Sequence, residues 1–306
     1  MSDARFEGVG PALITPMHVD GSLDLDTFAR HVENVVRAGV HFLVPCGTTG
    51  ESATLSRVEQ ARVISTCVEV AAGRVPVMAG AGTNDTAAAA ELAAGAARAG
   101  ADAVLTVSPY YNKPTLEGLV RHYRTVAKAG GLPVYVYNVP GRTGANLSPT
   151  DVLTIAAEVE GVAGVKEASG SVSQVMTILR ERPEGFTVLS GEDHLTYALM
   201  AMGAEGVISV VANEAPGEMA RMCGSLLARD APHEARAALD LHWRLLPLIE
   251  ANFLETNPIP VKTAMGLLGL GEAHFRLPLC EMDPDNRDRL REALEGAGLL
   301  PRTEAR

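Results

Sequence analysis

Short apolar runs alternate with amphipathic or alanine-rich segments through the first two thirds of the chain. Each run is almost continuously apolar, which is typical of parallel strands buried on both faces. The segments between them, such as "DLDTFARHVENVVRAG" and "TAAAAELAAGAARAG", have the pattern of helices. The eight runs are "GPALITP" from Gly10, "VHFLVPCG" from Val40, "VPVMAGAG" from Val75, "ADAVLTVSP" from Ala101, "LPVYVYNVP" from Leu132, "VAGVKEAS" from Val162, "FTVLSGED" from Phe186 and "AEGVISVVAN" from Ala204.

Several helical segments end in the same way, with a basic residue, an alanine and a glycine. These endings are "RAG" at 37–39, "RAG" at 98–100 and "KAG" at 128–130. A glycine just past a helix end adopts the left-handed conformation at low cost, and a cation there interacts favourably with the helix dipole. We therefore predict left-handed glycines at the ends of these three helices.

Eight strand-helix units predict an α/β fold, a (β/α)8 TIM barrel with a C-terminal helical extension. After Asn213 the pattern becomes entirely helical, so we expect a barrel over residues 1–212 and a helical region packed on it over 213–306. The structural alternative is a doubly wound sheet, whose G-x-G-x-x-G signature follows the first strand. Here "GAGTND" after the third run offers only G-x-G, with Asp85 in place of the third glycine.

The composition is that of an ordinary soluble globular protein. The 306 residues are 47% hydrophobic and 21% charged, with a formal net charge of −11. This charge argues against nucleic acid as a partner, but one or two local arginines can still hold a small carboxylate. The N-terminal "MSDARFEGVG" lacks the features of a secretory signal, and no apolar run is long enough to span a bilayer, so we expect no membrane partner.

The cysteines and histidines give little support for a metal. Four cysteines are scattered without a C-x-x-C pair, which indicates a reducing, cytoplasmic location and no zinc knuckle. Eight histidines include no H-E-x-x-H and no other close pair with ligand spacing. We therefore expect no metal site.

Polar residues collect where the predicted strands end, which in such barrels is the catalytic rim. Taken alone, Lys166 in "GVAGVKEASG" would be interpreted as a solvated lysine at a strand end. At the mouth of a barrel strand it lies near low-dielectric walls instead, and desolvation favours the neutral amine that can attack a carbonyl. We predict that Lys166 is a nucleophile.

Three neighbouring elements fit that role. Tyr137 ends the adjacent strand and could exchange a proton with a carbinolamine, although a core position, better suited to Tyr135, is the alternative. The hydroxyl and N–H groups of Thr48 and Thr49 could hold a carboxylate, or form a plain turn with an N-cap. Arg142 in "NVPGRTG" suits a substrate carboxylate, or lies in a surface turn. Glu192, Asp193 and His194 are expected to cap the following helix.

Taken together, several segments resemble the dihydrodipicolinate synthase family of the pyruvate-dependent class I aldolase superfamily. They span nearly the whole chain in family order, and they are specific in combination. The segments are "GTTGESATL" at 47–55, "PYYNKPTLEGL" at 109–119, "YNVPGRTG" at 137–144, "GVKEASG" at 164–170, "LSGED" at 189–193, "GVISVVAN" at 206–213 and "NPIPVKTA" at 257–264.

The resemblance implies a mechanism without an added cofactor. Lys166 would form a Schiff base with pyruvate, and the enamine would attack L-aspartate 4-semialdehyde, whose amine then displaces the lysine during cyclisation. Tyr137, Thr49 and Tyr111 would form a proton relay, with Tyr111 reaching in from a neighbouring subunit. This implies a homodimer, usually paired into a homotetramer.

The resemblance also implies the binding residues. Thr48 and Thr49 would hold the pyruvate carboxylate, and Arg142 would guide that of the aldehyde substrate. The backbone of Gly191 and Ile208 would line the site.

One departure from the family pattern concerns regulation. Ser52, Ala53, Asn84 and Tyr110 match a second site at which some family members bind lysine as an inhibitor. The positions expected to carry histidine and glutamate there hold Arg57, Gln60 and Ala88 instead. We therefore expect weak or absent feedback by lysine.

Three other functions compete with this interpretation. A related lyase cleaving a sugar-derived 2-keto acid, such as N-acetylneuraminate or a 2-keto-3-deoxy acid, would keep Lys166 and Tyr137 but usually lacks the arginine of the "GRTG" turn. A metal-dependent aldolase is disfavoured by the lack of clustered ligands. A non-catalytic effector-binding protein on the same barrel is disfavoured because Lys166, Tyr137 and both threonines are retained.

Overall fold

A single parallel sheet organises the protein, whose computed structural model describes residues 6–228 and 232–301. The strands are β1 (Gly8–Pro11), β2 (Met78–Gly80), β3 (Ala103–Val107), β4 (Val134–Asn138), β5 (Val162–Glu167), β6 (Thr187–Ser190) and β7 (Gly206–Ser209). They are hydrogen-bonded in the order β1-β7-β6-β5-β4-β3-β2, and every pair is parallel. Six of the eight predicted apolar runs therefore contain a strand, and the first run shares Gly10 and Pro11 with β1.

The second run differs from the prediction, because it contributes no full strand. Its residues Leu43 and Val44 form isolated parallel bridges to Val77 and Ala12, which adjoin β2 and β1 respectively. The extended stretch stops there because Pro45 follows and Cys46 turns into the left-handed region at φ 57°. The two end strands of the sheet order are thus joined through this short segment.

Helices follow the strands and cover the outer face of the sheet. They are α1 (Leu25–Arg37), α2 (Arg57–Ala71), α3 (Thr86–Arg98), α4 (Leu116–Gly130), α5 (Pro140–Thr143), α6 (Pro149–Glu158), α7 (Val172–Glu181), α8 (Thr196–Ala201), α9 (Pro216–Leu227), α10 (Pro232–Ala251), α11 (Ile259–Leu267) and α12 (Pro284–Ala297). Among the described residues after Asn213, every regular element from α9 onward is a helix, as the pattern predicted. The division at residue 212 stays a prediction, and residues 1–5, 229–231 and 302–306 of the predicted ranges lie outside the described residues.

The predicted glycine signals at helix ends are confirmed in two of three cases. Gly39 and Gly100 follow α1 and α3 with φ of 92° and 87°. The prediction for Gly130 is wrong, because α4 includes it and the left-handed position falls on Gly131, at φ 62°. Two consecutive glycines offer two possible stops, and the helix uses the second.

Two apolar clusters lie on opposite sides of the strands. Along β4, Val134 and Val136 pack into the large cluster with the helices, whereas Tyr135 and Tyr137 pack into a smaller one around Phe42. This alternation is the period of a strand, in which successive side chains point to opposite faces. The smaller cluster, here called the inner cluster, therefore contains Tyr137 and lies on the side of the sheet opposite the helices.

Candidate active site

Lys166 and Tyr137 lie side by side at the carboxyl ends of adjacent strands. They are register partners between β5 and β4, so their side chains emerge on the same face of the sheet. Lys166 Nζ lies 4.3 Å from the centroid of the Tyr137 ring, and each residue is only 7% exposed. No carboxylate of the described residues forms an ion pair with this ammonium or amine within 4.0 Å. A buried, unpaired lysine beside a phenol is an arrangement suited to carbonyl chemistry.

Glu167 points away from this pair and fixes the strand end. Asn138 Nδ2 and Gln174 Nε2 donate to its Oε2 at 3.0 and 3.1 Å. The Ser169 backbone N–H donates to its Oε1 at 2.8 Å. These bonds satisfy a buried carboxylate and hold the turn that follows Lys166.

Gly191 gives the lysine its space. A Cβ atom at this position would lie 3.1 Å from Lys166 Cε and 2.5 Å from Ala168 Cβ. The Gly191 N–H donates to the Glu167 carbonyl at 2.8 Å, which brings the end of β6 against the end of β5. Ile208 is 1% exposed in β7 and packs in the inner cluster that also contains Tyr137. Both predicted lining residues therefore lie at the same end of the sheet as Lys166.

The two predicted threonines differ in their surroundings. Thr48 lines a cavity of about 540 Å³. Thr49 is 3% exposed, and its Oγ1 accepts a hydrogen bond from Asn257 Nδ2 at 2.9 Å. Their loop closes with Gly50, whose carbonyl accepts a bond from the Thr15 hydroxyl at 2.7 Å.

Arg142 lies on the wall of the same cavity as Thr48. It is on the one-turn helix α5, and its side chain is exposed. Its Nη2 donates to the backbone carbonyl of Asn257 at 3.1 Å, which holds one edge of the guanidinium and leaves its other donors for a ligand. Thr48 and Arg142 thus line one cavity.

Tyr111 is the one predicted catalytic residue that lies outside this group. Its side chain is 89% exposed, and its backbone has φ 68°, a conformation that costs free energy in a tyrosine. Within one chain it is presented to solvent rather than to the cavity.

The carboxylates after β6 do not cap the next helical turn, contrary to the prediction. Glu192 precedes the 3₁₀ turn Asp193–Leu195 and makes no side-chain capping bond. Asp193 Oδ2 instead accepts the backbone N–H groups of Val210 and Val211, at 2.9 and 3.0 Å. Burial raises the pKa of both carboxyl groups, and the positive charge of Lys166 opposes the shift in each.

Most of the residues that match a lysine effector site line the same cavity as Thr48 and Arg142. Ser52, Ala53 and Tyr110 line it, together with the three departures from the family pattern, Arg57, Gln60 and Ala88. Asn84 does not line the cavity. Its neighbour Thr83 does, and the Thr83 hydroxyl donates a hydrogen bond to Asn84 Oδ1. Arg57 is engaged in an ion pair with Glu91.

Two residues of "NPIPVKTA" were not assigned a role by sequence reasoning. Asn257 contacts both Thr49 and Arg142, as described above. Lys262 on α11 is fully buried, and its Nζ donates to Glu51 Oε1 at 2.6 Å. The sequence signal that could have identified Lys262 is a lysine in an otherwise apolar helix, because a lysine buried in such a helix requires a partner.

Residues 6–228 and 232–301 include no group of three or more histidine, cysteine, aspartate and glutamate side chains placed to hold a metal ion. In the same residues, no helix is both long and apolar enough to cross a membrane.

Comparisons with known proteins show the family of the chain. A family model described as the dihydrodipicolinate synthetase family matches residues 5–297. The 4-hydroxy-tetrahydrodipicolinate synthase of Maridesulfovibrio salexigens is 47% identical over 295 residues, which are 96% of this chain and 99% of the relative. That of Methanothrix thermoacetophila is 48% identical over 290 residues, 94% and 96% of the two chains.

A solved structure is similar over the same length. It is the chloride-inhibited dihydrodipicolinate synthase of Acinetobacter baumannii complexed with pyruvate, with a TM-score of 0.93 and 40% sequence identity. The match covers 97% of this chain and 100% of the other.

Proposed function

The chain belongs to the dihydrodipicolinate synthetase family, and we propose that it condenses pyruvate with L-aspartate 4-semialdehyde to give 4-hydroxy-tetrahydrodipicolinate, in lysine and diaminopimelate synthesis. The observation that carries the proposal is the buried Lys166 amine over the Tyr137 ring, at the strand ends where such folds hold their catalytic groups. The relatives named above carry the name of this synthase rather than of a sugar-acid lyase. We also propose that the fold is a closed eight-stranded barrel, in which the bridges of Leu43 and Val44 take the place of the eighth strand.

The chemistry needs no group beyond the chain and its two substrates. The Lys166 amine adds to the pyruvate carbonyl, and loss of one water gives an imine. The imine withdraws electrons, so a methyl proton leaves and an enamine forms. The enamine carbon bonds to the aldehyde carbon, whose oxygen takes a proton. The substrate amine then attacks the imine carbon, closes the ring and releases Lys166.

Each step requires proton transfers, which we assign to Tyr137 and the threonine pair. Tyr137 is close enough to Lys166 to donate to and accept from the carbinolamine. We propose that Thr49 is the relay hydroxyl and that Thr48 and Thr49, with the N–H groups of their loop, hold the pyruvate carboxylate. Because Thr48 lines the cavity and Thr49 is buried, separate Thr48→Val and Thr49→Val variants test which threonine carries the relay. A larger loss of kcat in Thr48→Val would reverse the assignment.

Arg142 is proposed to bind the carboxylate of the aldehyde substrate. It lies on the cavity wall with free guanidinium donors, and a fork of two N–H groups matches a carboxylate. The backbone of Gly191 and Ile208 is proposed to line the site around Lys166.

A coupled assay tests the activity directly. Turnover of pyruvate with L-aspartate 4-semialdehyde, and none with N-acetylneuraminate or a 2-keto-3-deoxy acid, is the expected result. Turnover of a sugar acid alone would contradict the proposal. Lys166→Ala is the inactive control.

We further propose a homodimer, or a homotetramer built from it, in which Tyr111 completes the relay of the neighbouring subunit. Its 89% exposed side chain on a strained backbone supports this role. Mixing Lys166→Ala with Tyr111→Phe protomers tests it, because a hybrid dimer would carry one intact site and recover activity. No recovery on subunit exchange would contradict a shared site.

Weak or absent inhibition by lysine is also proposed. The cavity wall carries Ala88 where a glutamate could pair with a lysine ammonium, and Arg57 adds a like charge nearby. Initial rates at increasing lysine are expected to stay flat, and steep inhibition at sub-millimolar lysine would contradict this.

The four cysteines are free thiols, which supports a cytoplasmic location.

A further inference from the structure

Tyr111 is the central residue of a three-residue γ-turn. The Asn112 backbone N–H donates to the Tyr110 carbonyl, two residues back, at 2.8 Å, and Tyr111 has φ 68°. This combination is the rare, strained form of the turn, which a residue with a Cβ atom adopts only at a cost. Such a conformation persists only where contacts outside the residue maintain it.

Asn112 ties this turn to a different part of the chain. Its side-chain Nδ2 donates to the backbone carbonyl of Asn84 at 2.9 Å. The acceptor is itself fixed, because the next residue, Asp85, caps α3 by accepting the Ala87 backbone N–H at 3.0 Å. Asn112 therefore closes the turn with its backbone and anchors it with its side chain.

The chain on either side of the turn is held by separate contacts. Before the turn, the Ser108 backbone N–H donates to the Tyr137 carbonyl at 2.9 Å, just past the end of β3. After it, the Thr115 hydroxyl caps α4 by accepting the Gly118 N–H. These contacts fix where the segment begins and ends, and the direction of Tyr111 is set inside the turn.

We propose that Asn112 is a positioning residue, which holds Tyr111 in the direction from which its hydroxyl enters the site of the neighbouring subunit. The inference rests on the proposed function, in which Tyr111 completes the proton relay of that subunit. Asn112 acts through Tyr111 and not on substrate. A defect at Asn112 is therefore expected to appear in the active site of the other chain.

Two single variants test the anchoring bond. Asn112→Ala removes the amide, and Asn112→Asp keeps its shape without an N–H, so neither can donate to the Asn84 carbonyl. We expect each to lower kcat about fivefold, the size of one lost hydrogen bond, with little change in the KM of either substrate. Wild-type kcat in Asn112→Asp would overturn the proposal. Asn34→Asp, the same change at an exposed position on α1, is the control and is expected to leave kcat unchanged.

A double-mutant cycle tests whether the effect passes through the tyrosine. In a Tyr111→Phe background the hydroxyl that Asn112 positions is gone, so Asn112→Ala is expected to cost less than twofold. Equal losses in both backgrounds would overturn the proposal, because Asn112 would then act independently of Tyr111.

A competing effect would stay within one chain. The Lys113 side chain passes close to Gly144, since a Cβ atom at Gly144 would lie 3.4 Å from Lys113 Cε. Gly144 comes two residues after Arg142, so a disturbed turn could shift Arg142 of the same chain. The subunit in which the defect appears distinguishes this effect from the proposed one.

Hybrid dimers show which subunit is affected. In a dimer of one Asn112→Ala chain and one Lys166→Ala chain, the intact Lys166 is completed by an undisturbed Tyr111. We expect kcat per intact Lys166 to return to the wild-type value, about five times that of the Asn112→Ala homodimer. A value at the level of that homodimer would overturn the proposal.

These outcomes are separable from failure of the proposed function. The hybrid of Tyr111→Phe with Lys166→Ala reports the shared site alone, so its recovery without recovery of the Asn112→Ala hybrid would refute only the positioning role. Recovery in neither hybrid would refute the shared site and this inference with it. A wild-type protein inactive on the aldehyde would refute the function, and the same comparisons would then use the rate of borohydride-trapped imine formation with pyruvate. Equal sedimentation and unfolding midpoints show that the rates compare folded dimers.

Discussion

The buried pair of Lys262 and Glu51 allows a stability prediction whose size follows from the structure. The two side chains are 0% and 1% exposed, and Nζ and Oε1 are 2.6 Å apart. Lys262 also donates to the backbone carbonyl of His274. Burial lowers the pKa of Lys262, and the carboxylate of Glu51 opposes that shift. The pair is therefore a cation and an anion that depend on each other.

Replacing Lys262 with methionine keeps the apolar stem and removes the charge. Glu51, whose Oε2 already has no hydrogen-bond partner, would then be a buried carboxylate without a cation. Leaving one buried charge uncompensated costs about 3–5 kcal/mol, and the lost bond to the His274 carbonyl adds about 1 kcal/mol. We expect the free energy of unfolding to fall by about 4–6 kcal/mol, a large part of the total for most proteins.

Urea unfolding followed by circular dichroism measures this change. The matched control is Arg121→Met, which breaks the ion pair with Glu117 at the same 2.6 Å but with side chains 73% and 64% exposed. That variant is expected to lose only about 0.3–0.5 kcal/mol. Replacing Lys262 and Glu51 together by apolar residues is expected to cost less than Lys262→Met alone. A Lys262→Met protein within about 1 kcal/mol of wild type would refute the reasoning.

Three further predictions concern the site and the pH dependence of stability. Gly191→Ala would place a Cβ atom 3.1 Å from Lys166 Cε, and we expect imine formation with pyruvate to slow about 100-fold, while Gly224→Ala, in open space, leaves the rate unchanged. Arg142→Lys is expected to raise the KM for the aldehyde about tenfold in steady-state kinetics, with the pyruvate KM unchanged, because an ammonium lacks the guanidinium fork. Burial lowers the pKa of His122 to about 4. The neutral ring therefore contributes its full stability above the unfolded pKa of about 6.5, and this contribution is lost as the pH falls from about 6.5 to 4. We expect the free energy of unfolding of His122→Gln, measured with urea, to lack this part of the pH dependence.

Contacts set by local periodicity could be predicted from the sequence, and contacts between distant segments could not. Tyr137 and Lys166 lie on consecutive strands of a parallel sheet, so placing both at strand ends was enough to bring them together. The bonds of Asn257 to Thr49 and of Lys262 to Glu51 join residues 208 and 211 positions apart. The hydrophobic periodicity of the sequence does not predict pairs of residues so far apart in the chain.

The second apolar run shows a different limit. "VHFLVPCG" has the composition of a strand, but Pro45 and the left-handed Cys46 reduce it to two bridges. Composition identifies where an extended segment lies and does not give its length, because the backbone of a single residue can end it. Tyr111, which is 89% exposed, likewise has a left-handed backbone conformation, at φ 68°, that its residue type does not predict.

Borohydride trapping with pyruvate, followed by intact-mass measurement and peptide mapping, tests the central claim most directly. The chain has four lysines, Lys113, Lys128, Lys166 and Lys262, and the two buried ones make a sharp comparison. Lys262 is ion-paired, whereas Lys166 faces the site beside Tyr137. We predict one reduced pyruvyl group per chain, located on Lys166 and missing from Lys166→Ala. An unmodified wild-type chain, or a label on Lys262 or a surface lysine, would contradict the account.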